Sequence, residues 1–370
     1  MHRNDQLSAV IVFAPDSFKG TASATEAAAA LAEGWATVRP GDTLVQLPMA
    51  DGGEGTIDAF ERAIPGALRI PVTVDGPDDR PVDTAWLKLP SGTAVLELAS
   101  TSGITLVNPL RPHLAHTRGF GQAIAAALDG GARRMLLAVG GSASTDGGAG
   151  MLEALGARFS DEAGRPVAPG NAGLLELASV DLSGLRPLPA DGVVVLCDVT
   201  NPLLGTLGAA AVFGPQKGAS PDDVQSLEAG LSRLAELLSG VDADTPGAGA
   251  AGGCAFGLLN WGATLAAGSH TVAVTVGLAE AIGSADAVVT GEGSFDDQSA
   301  AGKVVSQILA ESAAIGCRVL LVAGRISEPT TAFAASRSLS DLAGSGQAAM
   351  ADTPTWLRAA GASLAADFSA

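Results

Sequence analysis

The chain contains no tyrosine, only three cysteines, and only four lysines among its 21 basic residues. Cys197, Cys254 and Cys317 stand far apart without a C-x-x-C pair, and an odd count suits no disulfide framework. A reducing compartment, the cytoplasm, is therefore the expected location. Aromatic residues make up 4% of the chain, so a core must come chiefly from Ala, Val and Leu. No apolar run reaches the roughly 20 residues of a membrane span, and no membrane association is expected. Pro15 and Asp16 interrupt the first apolar stretch early, which argues against a signal peptide. Basic runs are absent too, and the formal net charge is −18. Nucleic acid is therefore not an expected partner. The four histidines, His2, His113, His116 and His270, have no metal-ligand spacing and read as surface or capping residues. No nucleophile elbow with Ser, His and Asp in order is visible.

What is present is an α/β pattern spread over 370 residues, long for one compact domain and natural for two. Ser8–Ala14 reads as a short buried strand. Ser23-Ala24-Thr25-Glu26 is a capping box that opens an Ala-rich helix. A second strand (Leu44–Leu47) and helix (Thr56–Ile64) follow, the signature of a parallel sheet. From Leu68 to Leu98 three stretches divided by turn clusters read as antiparallel strands. Strands at Met135–Val139 and Val193–Cys197 and a helix at Pro221–Leu238 come next. The parallel pattern returns with a strand at Ala287–Thr290, a helix from Lys303 and a strand at Arg318–Ala323. The expected fold class is α/β with two lobes. One is a parallel-sheet lobe of the Rossmann or flavodoxin type, built from residues 1–66 plus 285–370. The other is a mixed α/β lobe of residues 67–284 inserted between them, with an active site expected in the cleft. Gly240–Gly253 reads as a mobile stretch, and Ala343–Thr353 as a poorly packed link to a final helix.

The chemistry-bearing residues fall on glycine-rich loops after these strands. Asp16, Ser17 and Lys19 follow the first strand, where open α/β sheets place their ligands. Asp51-Gly52-Gly53-Glu54 follows the second, with Asp51 and Glu54 equally suited to capping the next helix. The loop Gly140–Gly150 carries Gly141, Ser142, Asp146 and Gly147. It is neither a Walker A loop nor a dinucleotide G-x-G-x-x-G. Asp198 and Asn201 follow the Val193–Cys197 strand and can hold Mg²⁺ or polarise a hydroxyl. Gln216-Lys217-Gly218 comes next. Gly291, Glu292, Asp296 and Gln298 lead to Gly302-Lys303 at a helix start, a place that favours anions. Three of the four lysines, Lys19, Lys217 and Lys303, touch a glycine. A compact ammonium beside bare backbone suits a phosphate. Lys88, in a strand-like stretch, reads as surface.

Taken in order, the segments APDSFKG, PMADGGEGT, GGSASTDGGAGMLEALGARF, CDVTNPLLG, FGPQKGA, GAGAAGG and TGEG-x-x-D-x-Q-x-x-x-GK resemble the bacterial type I glycerate kinase family over roughly residues 8–325. The resemblance implies transfer of the ATP γ-phosphoryl group to D-glycerate with Mg²⁺, usually giving 2-phosphoglycerate. On that basis Lys19, Lys217 and Lys303 are expected on phosphates or the glycerate carboxylate. Asp198 or Asp296 is expected on Mg²⁺, and Asp51 or Asp198 as acceptor of the hydroxyl proton. Gly141, Ser142 and Gly147 would shape the pocket. The chain departs from the family pattern at Ser294-Phe295, at Ala301 and at His116–Gly121. Kinase action on a related small sugar acid, or hydroxy-acid sensing without catalysis, are the alternatives. Oligomeric state is left open.

Overall fold

A computed structural model describes residues 8–296 and 304–368. Two compact units emerge from it. Unit 1 comprises the chain up to Asp51, Asp58–Ile64 and everything from Ser269 onward, and unit 2 comprises Gly52–Ile57 and Pro65–Gly268.

The chain opens with β1 (Val10–Phe13), an apolar run with three of its four residues buried. Ser23 caps the helix Ala24–Val38: its hydroxyl accepts the Glu26 N–H, and the Glu26 carboxylate accepts the Ser23 N–H. This is the capping box read from the sequence. β2 (Thr43–Gln46) returns parallel to β1, with Val10 opposite Thr43. After the helix Thr56–Ala63, β3 (Leu68–Asp75), β4 (Pro81–Lys88) and β5 (Thr93–Glu97) run antiparallel to one another. Lys88 donates to the Gly130 carbonyl at the end of the helix Arg118–Asp129, a favourable place for a cation. β6 (Arg134–Ala138) lies parallel to β5. A short ribbon of β7 (Arg158–Ser160) and β8 (Ser179–Asp181) precedes β9 (Val193–Leu196), and β10 (Thr264–Ala266) closes unit 2. β11 (Ala287–Phe295), β12 (Arg318–Ile326) and β13 (Ala335–Ser338) then complete unit 1.

Unit 1 is a wholly parallel sheet in the order β13-β12-β11-β1-β2. Numbered within the unit, that order is the flavodoxin-like 2-1-3-4-5, reversing direction between β1 and β11. One face is covered by Trp35, Leu31 and Phe13 together with Leu357 and Leu364 of the last helix (Thr353–Asp367). Unit 2 is a mixed sheet, β10-β9-β6-β5-β4-β3, parallel from β10 to β5 and antiparallel beyond. Its core gathers Phe120, Met151, Leu231 and Phe256 around β5, β6 and β9. Unit 1 is thus the parallel lobe drawn from both chain ends, and unit 2 the inserted mixed lobe. Among the described residues no helix is long and apolar enough to cross a membrane.

Two expectations are corrected. Of Gly240–Gly253, read as mobile, the half from Gly247 onward is packed: Ala248 and Ala250 are buried, and the Gly252 carbonyl accepts the Gly147 N–H. Ala343–Thr353 is, as read, a largely exposed link to the last helix. It carries the helix Gly346–Ala351, and Ala349 and Thr353 are buried. His116 is buried, with Nε2 3.1 Å from an Asp79 carboxylate oxygen. In both corrected cases the small or polar residues suggested exposure, but neighbours distant in sequence cover them.

Candidate active site

In unit 1 the ends of β1, β11 and β12 surround a cavity of about 440 Å³. β1 leads into it through two cross-links to β11. The Asp16 N–H donates to the Gly291 carbonyl at 2.8 Å, and the Thr290 hydroxyl donates to the Ala14 carbonyl at 3.1 Å. Gly291 must be glycine, because a Cβ there would fall 2.1 Å from the Val322 carbonyl oxygen. Asp16, Ser17, Lys19, Asp51, Glu292 and Asp296 all line the cavity, joined by Thr21, Ser294 and Arg325. An Asp16 carboxylate oxygen accepts the Ser17 N–H at 2.6 Å. Burial first, and then the negative charge of Asp51, push the Asp16 carboxyl up to about 7, against the opposing pull of the Ser17 N–H and Lys19. Lys19 is exposed on the rim.

Unit 2 brings a second set together at the ends of its parallel strands. A Cβ on Gly52 would lie 2.9 Å from Leu196 Cβ and 3.1 Å from Gly268 Cα. A Cβ on Gly140 would lie 2.7 Å from Gly53 Cα. These bare contacts place the Gly52-Gly53 turn, the Gly140–Ser142 turn and the loop after β9 side by side. Asp198 sits there, one carboxylate oxygen accepting the Gly268 N–H at 2.7 Å. Gly141 is exposed and has φ +78°. Asn201 spends its amide on the Leu207 carbonyl, and Glu54 and Gln216 are exposed.

Behind the Gly140–Gly150 loop lies a buried polar clamp. The Lys217 ammonium, 2% exposed, donates to the Ser142 hydroxyl at 2.8 Å and to the Ser144 carbonyl. Burial lowers the Lys217 pKa to about 8, partly offset by the charge of Asp146. Asp146, 0% exposed, accepts from the Thr117 N–H and hydroxyl and from the Gly148 and Gly150 N–H groups. Asn171 donates to the Thr145 carbonyl. A Cβ on Gly252 (φ +67°) would fall 2.0 Å from the Ser144 carbonyl oxygen and 2.8 Å from the Lys217 ammonium. The GAGAAGG segment is therefore glycine-rich where the clamp needs room.

The expected residues thus form groups of different character. Asp16, Ser17, Lys19, Asp51, Glu292 and Asp296 share the unit 1 cavity, with Gly291 beneath it. Gly52, Gly53, Gly141, Ser142 and Asp198 belong to the loop cluster of unit 2. Lys217, Asp146 and Gly147 are buried and engage the protein itself. Lys303 and Gln298 lie outside the described residues. Thr117, Asn171 and Arg325 were not singled out from the sequence. For Thr117 the signal was its place in a motif segment, and for Asn171 there was none. Among the described residues no group of three or more His, Cys, Asp or Glu side chains is arranged to hold a metal ion.

A two-unit α/β protein with carboxylates and a lysine at the strand ends of a flavodoxin-like sheet fits a small-molecule enzyme of the phosphotransferase class. The chain belongs to the glycerate kinase family, whose model matches residues 11–369. It is 43% identical to a glycerate kinase of Bacillus subtilis (strain 168) over 331 residues, covering 87% of this chain and 86% of that one. It is 44% identical to a glycerate 2-kinase of Escherichia coli (strain K12) over 303 residues, covering 80% and 79%. A crystal structure of a Salmonella typhimurium LT2 protein, 37% identical, superposes with a TM-score of 0.81 over 97% of this chain and 98% of the other.

Proposed function

We propose that the protein phosphorylates D-glycerate with ATP, giving 2-phosphoglycerate by direct transfer of the γ-phosphoryl group. One observation carries the reading: Asp16 and Asp51 share a cavity with Lys19, and Asp16 is held near neutral pKa. A base that titrates near pH 7 can take a hydroxyl proton without being protonated most of the time.

In this mechanism the ionised Asp16 takes the proton as the substrate O–H bond breaks and the oxygen bonds to the γ-phosphorus. The P–O bond to ADP breaks in the same displacement. Asp51 keeps the proton affinity of Asp16 high, and Lys19 meets charge on the transferred group or on the acid. Lys303, directly before the helix Val304–Ile315, takes the same role by family resemblance. By family resemblance the Gly141 turn and Asp198 of unit 2 are further ligand-binding candidates.

The family implies Mg²⁺, and the donor set fits. Asp296 lines the same cavity as Asp16, Asp51 and Glu292, and Mg²⁺ commonly takes one or two carboxylates, leaving the rest to phosphate and water. Asp296 is the proposed holder, since it lines this cavity and Asp198 does not. When bound, the ion would neutralise charge on the phosphate oxygens. Phosphorus NMR of the product from ATP and D-glycerate tests the proposal, with 2-phosphoglycerate expected. Unconsumed ATP, or faster turnover of a four-carbon aldonate under the same conditions, would overturn it.

A further inference from the structure

The lining of the unit 1 cavity divides by chemistry. The ends of β1, β2 and β11 supply Asp16, Asp51 and Glu292, whereas the segment after β13 supplies no charged group: Leu339, Ala349 and Met350 stand there with Ser340, Gly346 and Thr353. Leu339 and Ala349 are buried, and Met350 is 64% exposed. The second observation is topological. The strand order reverses between β1 and β11, and parallel sheets open a ligand crevice outside the strand carboxyl ends at such a point.

Of the two co-substrates in the proposed reaction, glycerate has an oxygen on every carbon and offers no flat apolar face. An apolar wall gains nothing against it. The base of a nucleotide does offer such a face, and a thioether such as Met350 packs well on aromatic rings. A cavity of about 440 Å³ also exceeds what a three-carbon acid can fill and falls in the range of pockets that take larger, drug-sized ligands.

Resting on the kinase reading, we infer that unit 1 is the nucleotide-holding unit and that Leu339, Ala349 and Met350 form the wall for the base. Lys19 and Arg325, on the same cavity, then face the phosphate end. The C-terminal segment, onto which the sequence carried no role, becomes a determinant of nucleotide affinity and base selectivity.

The test uses the full-length enzyme with ATP and glycerate varied separately. Met350→Ala trims an exposed side chain and should leave folding intact. It is expected to raise KM for ATP about five-fold while KM for glycerate stays within about two-fold. Ala349→Leu, which fills the wall, should raise KM for ATP further and change the ratio of GTP to ATP use. Should Ala349→Leu not fold, Met350→Ala alone decides. A rise in KM for glycerate with KM for ATP unmoved would overturn the inference, as would no change in either. If the unaltered enzyme makes no phosphoglycerate, the kinase reading fails. Titration with fluorescent N-methylanthraniloyl-ADP then still decides this point: weaker binding by Met350→Ala supports the base wall, and equal binding refutes it.

Discussion

Replacing Lys217 by methionine separates the two roles a buried lysine can play. The ammonium is 2% exposed and its pKa falls from 10.5 to about 8, chiefly through burial. That fall is equivalent to about 3 kcal/mol disfavouring the charged form in the folded state. Methionine is of similar volume and removes this penalty. Against it stand two lost hydrogen bonds, to the Ser142 hydroxyl and the Ser144 carbonyl, and about 1–3 kcal/mol for leaving a buried acceptor unpaired. The opposing effects nearly cancel, so stability at pH 7 should stay within about 2 kcal/mol of the unaltered protein. The sign with pH follows from proton counting. Between about pH 8 and 10.5 the unfolded chain binds more protons at Lys217 than the folded one, so the unaltered protein gains stability as pH rises through that window. The methionine variant lacks this gain. Urea unfolding at pH 7, 8.5 and 10 isolates the effect when Cys254, whose thiol the Lys217 charge pulls down, is replaced by alanine in both proteins, because titrations remote from Lys217 then cancel in the difference. Turnover should fall by orders of magnitude, because the Gly140–Gly150 loop loses its clamp. Parallel pH profiles for the two proteins, or full activity in the variant, would refute the reasoning.

Other outcomes are equally direct. Asp16→Asn should lower kcat about 10²- to 10⁴-fold. In the unaltered enzyme the single-turnover rate should rise with pH through about 7, because Asp16 must be ionised to accept the proton. Asp146→Ala strips four donors of a buried acceptor and should cost more than about 3 kcal/mol, read as a lowered melting temperature. Lys19→Met removes an exposed side chain, so stability should change by less than about 0.5 kcal/mol while turnover drops about 100-fold or more.

Much of the fold was legible because its signals are local. The Ser23–Glu26 cap, the apolar run of β1 and the turn clusters flanking β3 and β4 act within a few residues. The return of parallel strands after Ala287 was enough to assign both chain ends to one sheet. The cavity acids were legible as well, since Asp16, Asp51 and Glu292 each follow a strand of that sheet. What Lys217 touches was not legible, for a physical reason. A lysine beside a glycine advertises an ammonium near bare backbone, but adjacency does not say whether its partner is a ligand phosphate or the protein's own Ser144 carbonyl. Likewise the glycines of Gly240–Gly253 suggested motion, whereas Gly252 is glycine because nothing larger fits against Ser144 and Lys217. Such constraints come from residues far away in the chain, and no window of sequence contains them.

The pairing of Ile11 with Ala287 has a bearing on how the protein is made. β1 leaves the ribosome before unit 2, yet β11, its neighbour on one side, emerges only after it. Unit 2 can close its sheet from an almost continuous stretch, while the nascent β1–β2 pair waits with one edge open. The strands made before the insertion are thus sealed only after it, and the period most exposed to aggregation is set by the length of the insertion.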